Sequence, residues 1–304
     1  MPPVTEERQT VKKSLLESFC YFDIFSYPLS LNDLKEFGTH PFETKDLEEL
    51  IKDGVICQKN GFYALSDSDA DVRKRIAGNE RAVELEQKAI QQALFIGQFP
   101  FVRSVSLSGS MSKGYMDEEA DLDFFVITTP QRLWIARTLL ILYKKIFLLN
   151  SKKYFCVNYF VDTDHMEIEE KNRFTATEVV TLRNVYGKEV HQAFLKANQW
   201  AFDIYPNYRS RHLPNSSKPS FFKKKSEQIL TGKLGEQFDI WCFKKTLNRW
   251  ENKFGKMDEK DFQVAFKSRR SVSKHHPNNF QRIVLERLEK KLQEVKSKYN
   301  ISWD

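Results

Sequence analysis

The chain has 304 residues, of which 41% are hydrophobic and 29% charged, the balance of a globular protein with room for two or three cored domains. Its net charge of +7 is uneven: residues 1–70 hold 7 basic and 13 acidic side chains (−6), residues 71–150 hold 11 and 9 (+2), and residues 151–304 hold 30 and 19 (+11). The most apolar stretch, RLWIARTLLILYKKIFLLN, is broken by Arg137, Lys144 and Lys145, which excludes a membrane span and predicts a buried helix.

The first elements read as three helices and a hairpin. Val11, Leu15, Phe19 and Phe22 have helical spacing, and Pro28 ends that helix. Ser30 with Asp33 forms a capping box for a second helix, and a third runs from Thr44 to a stop at Gly54. VICQKNGFYAL then gives two short strands around Asn60-Gly61, the strongest hairpin-turn pair. Three helices and a hairpin over residues 1–68 form a winged-helix-like pattern. The third helix sets Asp46, Glu48, Glu49 and Asp53 against Lys45 and Lys52. Phosphate contact dominates nucleic-acid affinity, so this surface predicts packing or partner docking rather than DNA reading.

Residues 69–97 form a long amphipathic helix, with Val72, Ile76, Val83, Ile90 and Leu94 among its apolar positions. FVRSVSLS alternates as a strand, and Gly109-Ser110 follows. DLDFFVIT is a second strand, Pro130 opens a helix over 131–149, and YFCVNYFVD over 154–162 is a third strand. Thr175-Ala-Thr-Glu178 reads as a capping box that opens a helical region to about Phe202. PNYRSRHLPNSSKPS (206–220) is a linker, and 221–304 are helical, ending in an amphipathic helix marked by Phe280, Ile283, Val284, Leu288, Leu292 and Val295. The predicted fold class is α+β: a winged-helix-like domain (1–68), a mixed-sheet module with its leading helix (69–205), and a C-terminal helical region after the linker.

Asp121 and Asp123 stand at i and i+2 on a strand, so both project from one face. Such a pair suits Mg²⁺ or Mn²⁺, which take oxygen ligands from one or two carboxylates and from substrate phosphates. Gly109 lets backbone approach a phosphate closely, Ser110 adds a hydroxyl, and Lys113 reaches phosphate or lies solvated in a loop. The pattern of an apolar strand, Gly-Ser, ten residues and Asp-x-Asp opening a second apolar strand resembles the DNA polymerase beta-like nucleotidyltransferase superfamily. The resemblance covers roughly residues 100–205. Ser108 departs from it, since an apolar residue is usual there.

The resemblance implies transfer of a nucleoside monophosphate from an NTP, such as ATP, to an acceptor hydroxyl. Asp121 and Asp123 would hold two metal ions about 3.5–4 Å apart, and Gly109 and Ser110 the β- and γ-phosphates. It also implies a third carboxylate on a neighbouring strand, suited to take the hydroxyl proton. The expected position holds Asn158, which cannot act as a base. Asp162 shares its strand parity and is the candidate; Asp164 and Glu167 are weaker ones. Should Asp162 not serve, the chain is a slow or inactive nucleotide-binding or regulatory protein.

The acceptor is not legible. The basic C-terminal half allows weak nucleic-acid contact, including modification of a nucleic-acid end, or is simply a solvated lysine-rich surface. Arg269, Arg270 and SVSKHH (271–276) form a basic loop that either contacts a substrate phosphate or is a solvated charge run. Asn198, Trp200 and Asn207 either approach a base or pack helix ends. Cys20, Cys57, Cys156 and Cys242 lack CxxC or metal-ligand spacing, and the polar start lacks an apolar signal segment. Both predict a cytoplasmic protein with reduced thiols.

Overall fold

The structure is a computed structural model that describes residues 4–213, 218–254, 258, 266–274 and 280–299; His275 and His276 lie outside this set. The N-terminal unit holds helices α1 (Val4–Asp23), α2 (Leu31–Phe37) and α3 (Thr44–Lys52), with strands β1 (Leu29–Ser30), β2 (Cys57–Lys59) and β3 (Phe62–Ala64). Ser30 Oγ accepts from the Asp33 amide at 3.1 Å while Asp33 accepts from the Ser30 amide at 2.8 Å, the reciprocal cap that the sequence signals. Asn60 and Gly61 both have positive φ, +50° and +79°, as a two-residue hairpin turn requires. The two-residue β1 pairs with β3; it is too short to show a period.

Helix α4 (Asp69–Gly97) leads to a six-stranded mixed sheet of order β7-β4-β5-β6-β9-β8. Its strands are β4 (Val102–Ser108), β5 (Asp123–Thr128), β6 (Cys156–Asp162), β7 (Arg183–Tyr186), β8 (Ser268–Arg269) and β9 (Val272–Lys274). β5 and β6 are parallel, joined by helix α6 (Leu133–Phe147), which starts three residues after Pro130; the other neighbours are antiparallel. A one-turn helix, α5 (Gly109–Ser112), follows β4. The chain is therefore α+β with a mixed sheet.

Two stretches expected to be helical contain strands. β7 interrupts the region after helix α7 (Arg173–Val180), before α8 (Lys188–Ala197) and α9 (Trp200–Ile204). β8 and β9 extend the sheet edge beyond α10 (Phe221–Ile229) and α11 (Gly232–Phe254), ahead of α12 (Phe280–Tyr299). Strands this short exist only through their partners. Nor does Thr175 cap α7: the Asn172 side chain does, accepting from the Thr175 amide at 3.0 Å.

The sheet has a core on each face. Phe125, Ile127 and Val161 pack with α1, α7 and α12 side chains such as Leu16, Val180 and Val284. Phe124, Val126 and Phe160 pack on the other face with Ala93, Trp134 and Trp250 of α4, α6 and α11. Each fully buried large apolar side chain here contributes about 1.5–3 kcal/mol relative to exposure. Arg137 and Lys144 are buried, Arg137 lying over the Trp250 ring. The β5–β6 register skips a residue: Phe124 faces Val157, but Phe125 faces Tyr159. Asn158 is a bulged residue, and a bulge reverses the alternation beyond it. No helix among the described residues is long and apolar enough to cross a membrane.

Candidate functional site

The sheet brings the Gly-Ser turn and the aspartates together. Ser108 at the end of β4 is the cross-strand partner of Asp123 at the start of β5. Gly109 has φ +62°, and a Cβ on it would lie 2.7 Å from Asp123 Oδ2. Glycine is thus required twice, by backbone conformation and by the carboxylate pressed against it. Lys113 Nζ folds back on the turn, donating to the Gly109 carbonyl at 3.0 Å and pairing with Glu178 Oε1 at 2.8 Å. Ser110 Oγ lies 3.5 Å from Met116 Sδ.

Asp121 precedes β5. Leu122, between the two aspartates, is buried and continues the backbone pairing, its N–H donating to Lys153 and its carbonyl accepting from Cys156. Burial pushes the Asp123 carboxyl up to about 6, and the negative charges of Asp121 and Glu178 add to this, while Cys156 and Lys113 oppose it. The Cys156 thiol is itself pushed up, by burial first and by Asp123.

The third carboxylate is not where the sequence places it. Asn158 lies at the site, its Nδ2 3.4 Å from Asp123 Oδ1 and 2.9 Å from Cys156 Sγ. Asp162 pairs in register with Thr128, five residues along β5 from Asp123, a distance of roughly 16 Å at strand rise. The bulge also sends Asp162 to the opposite face. Only 3% exposed, it shapes the next turn, accepting from the Asp164 amide at 3.1 Å and lying 2.9 Å from His165 Nδ1. The expectation that Asp162 completes the site is therefore corrected. Asp164 and Glu167, which follow Asp162 in the chain, are exposed, and neither lines the cavity that opens at Asp123.

The turn and Asp123 open on a cavity of about 530 Å³ that also reaches Asn158, Glu178 and Lys113. Aromatic side chains from distant segments wall it, among them Tyr21, Phe25, Phe125, Tyr159, Phe194 and Phe280. The basic loop is not uniformly solvated: Lys274 is buried and lines the cavity, and Arg270 lies 3.5 Å from the buried Asp239. Asn198 is fully buried, accepting from the Ile168 amide and donating to the Met166 carbonyl; Asn207 donates to the Gly38 carbonyl. Both pack the fold and neither lines the cavity.

Glu178, Tyr159 and Lys274 escaped the sequence reading. Glu178 carries a local capping signature, Tyr159 looks like ordinary strand filling, and Lys274 sits in a basic run. The strand register joins Tyr159 and Lys274 to Asp123, and the packing of α7 brings Glu178 to the same cavity. No protein-family model matches the chain, and no curated protein or solved structure matches it.

Among the described residues no group of three or more His, Cys, Asp or Glu side chains could hold a metal ion. The donor set at the turn is smaller: Asp121, Asp123 and the Asn158 amide. Two carboxylates and an amide suit a hard cation that takes its remaining ligands from water and phosphate oxygens. Burial is the main cause of the raised Asp123 pKa and the nearby negative charges a lesser one; a cation bound there would favour the ionised form.

Proposed function

We propose that the chain is a metal-dependent nucleotidyltransferase. It would take an NTP, ATP in the first instance, and move its nucleoside monophosphate to an acceptor hydroxyl. The contact of Gly109 with Asp123 carries this reading, because it joins a phosphate-accommodating turn to the second carboxylate of the Asp-x-Asp motif at one cavity mouth. The mixed sheet and the helices around it support the nucleotidyltransferase likeness, and the three helices and hairpin of the N-terminal unit support a winged helix.

Asp121 and Asp123 would hold Mg²⁺ or Mn²⁺; Asn158, whose Nδ2 faces Asp123, would offer an oxygen only with its amide turned over. The ion, when bound, would neutralise phosphate charge. Gly109 and Ser110 would accommodate the outer phosphates, and Lys113 would add positive charge. The acceptor oxygen bonds the α-phosphorus as the bond to the leaving pyrophosphate breaks. The hydroxyl proton would pass to Glu178, the carboxylate on the cavity wall where the strand supplies only an amide. Four free cysteines, three of them buried, support a reducing cytoplasmic setting.

Asn158 favours a second reading, a nucleotide-binding protein with little or no turnover. Titration of ATP with Mg²⁺ and with EDTA tests what both readings share. Tighter binding with Mg²⁺, lost when Asp121 and Asp123 are both replaced by Asn, supports them; equal affinity in the two conditions refutes them. Incubation with labelled NTPs, Mg²⁺ and a cell extract then separates transfer from binding alone.

A further inference from the structure

The cavity extends well past the atoms that a phosphate chain needs. Its walls are aromatic and are drawn together from at least five parts of the chain. Phe125 lies 5.4 Å from Tyr159 and 4.9 Å from Phe194, ring centre to ring centre, and Phe25 lies 6.1 Å from Phe280. A volume of about 530 Å³ falls within the roughly 300–1,000 Å³ of small-molecule sites, which are mostly apolar with a few placed polar groups. Rings in these walls offer faces and edges to another ring, and few partners to a sugar's hydroxyls.

The far end is polar. Lys274 is 7% exposed, and its ammonium donates to Gln281 Oε1 at 3.0 Å. An ammonium has three donors, so capacity remains. Glu170 lines the same cavity. Its Oε1 accepts from Lys267 at 3.0 Å, while its Oε2 is buried with no hydrogen-bond partner among the described residues. A spare donor and a spare acceptor of opposite charge suit a neutral head group that can both accept and donate. A head with a full charge would be attracted by one and repelled by the other.

The strand register measures the span. Lys274 is the cross-strand neighbour of Tyr159, Tyr159 faces Phe125, and Phe125 is two residues from Asp123. Two strand spacings across and two residues along give about 12 Å between the ends.

We infer that this cavity is the acceptor subsite, and that its ligand is a small molecule with a fused-ring or other aromatic body, a hydroxyl at the Asp123 end and a neutral hydroxyl or carboxamide head at the Lys274–Glu170 end. The word acceptor rests on the nucleotidyltransferase reading; the ligand chemistry rests on the cavity itself.

Three fluorescent probes of one length test it on the full-length protein: 3-(6-hydroxynaphthalen-2-yl)propanamide, the matching propanoic acid, and 6-propyl-2-naphthol, which lacks the head. The amide should bind about tenfold more tightly than the propyl compound, as one or two hydrogen bonds to charged groups provide. Lys274→Met should erase that preference while leaving the propyl compound within about twofold. Glu170→Gln keeps the lysine and removes the repelling charge, so the acid should gain on the amide. This second variant keeps the test decisive if Lys274→Met fails to fold. Equal affinity for amide and propyl compounds in the wild type overturns the inference. So does displacement of the amide by adenosine, which would make the cavity a nucleoside subsite. Mg-ATP titrated in the same samples separates the two readings. The expected probe pattern in a protein that does not bind Mg-ATP upholds the ligand chemistry and refutes the transferase. Mg-ATP binding without the probe pattern refutes the inference alone.

Discussion

Replacing Asp123 by Asn should stabilise the protein while destroying its metal-dependent nucleotide binding. The carboxyl pKa is raised from 3.8 to about 6, first by burial and then by Asp121 and Glu178. A raised carboxylate pKa means that the folded state holds its proton more tightly than the unfolded state does. The contribution is favourable in full below about pH 4 and is lost as pH climbs to about 6. Each pKa unit is worth about 1.4 kcal/mol, so ionised Asp123 costs the fold at most about 3 kcal/mol above pH 7. Water reaching the partly exposed side chain reduces this to about 1–3 kcal/mol. Asparagine keeps the shape, and its oxygen can still accept from Asn158, but it has no charge to desolvate. Urea denaturation of both proteins from pH 4 to 8 should show equal stability at the acid end. The variant's advantage should grow between pH 4 and 6 and then level off. Asp239, also raised to about 6 by burial, titrates in both proteins and cancels in the difference. Millimolar Mg²⁺ with ATP should raise the wild-type midpoint at pH 8 and leave the variant unmoved. A variant no more stable at pH 8 than at pH 4, relative to wild type, would refute the claim that Asp123 is held as an uncompensated charge.

Gly109→Ala should cost about 1–3 kcal/mol, since it strains a positive φ and drives a methyl into Asp123. Gly114→Ala has φ +69° but no atom of the described residues within 4 Å of the new Cβ, so by urea denaturation it should cost only about 1 kcal/mol and spare nucleotide binding. Asn158→Asp places a third negative charge beside Asp123; stability at pH 8 without metal should fall by about 1–2 kcal/mol and recover with Mg²⁺, and transfer in the labelled-NTP assay should rise. Asp162→Asn should leave Mg-ATP affinity within about twofold but lower the melting temperature, because a turn loses its charged acceptor. Lys223→Met should destabilise by about 2–4 kcal/mol in thermal melts, because the Gly97 and Val102 carbonyls and the Tyr186 hydroxyl lose a buried ammonium.

Part of the acidic charge on the N-terminal unit is matched by basic side chains elsewhere in the chain: Glu17 pairs with Arg173 at 2.9 Å, Asp23 with Lys291 at 2.8 Å, Asp33 with Arg75 at 3.0 Å and Glu36 with Arg211 at 2.8 Å. Meanwhile Phe37 of α2 packs 5.6 Å from Tyr205 and 5.3 Å from Tyr208, and Tyr27 packs 5.5 Å from Tyr115. This unit therefore helps to build the cavity wall through Tyr21 and Phe25, which agrees with a packing role for it.

What the sequence determined by itself was local. The Ser30 cap, the Asn60-Gly61 turn and helix α4 depend on residues a few positions apart, and they form where their spacing signals them. The Gly-Ser and Asp-x-Asp pair was legible for a related reason: two apolar alternations, each ending in residues unsuited to a core, point to two strand ends. Their actual contact needed the antiparallel register of β4 and β5. Asp162 marks the limit. Strand parity is a rule for an unbroken ladder, and the bulge at Asn158 is an event between two strands, with no signature in either alone. It reversed the alternation, turned Asp162 away and left an amide beside Asp123. The strands β7, β8 and β9 likewise owe their existence to partners that a single short segment cannot announce. The cavity is the furthest from the sequence, because its aromatic walls and its buried lysine lie as much as 250 residues apart and only sheet order and helix packing bring them to one place.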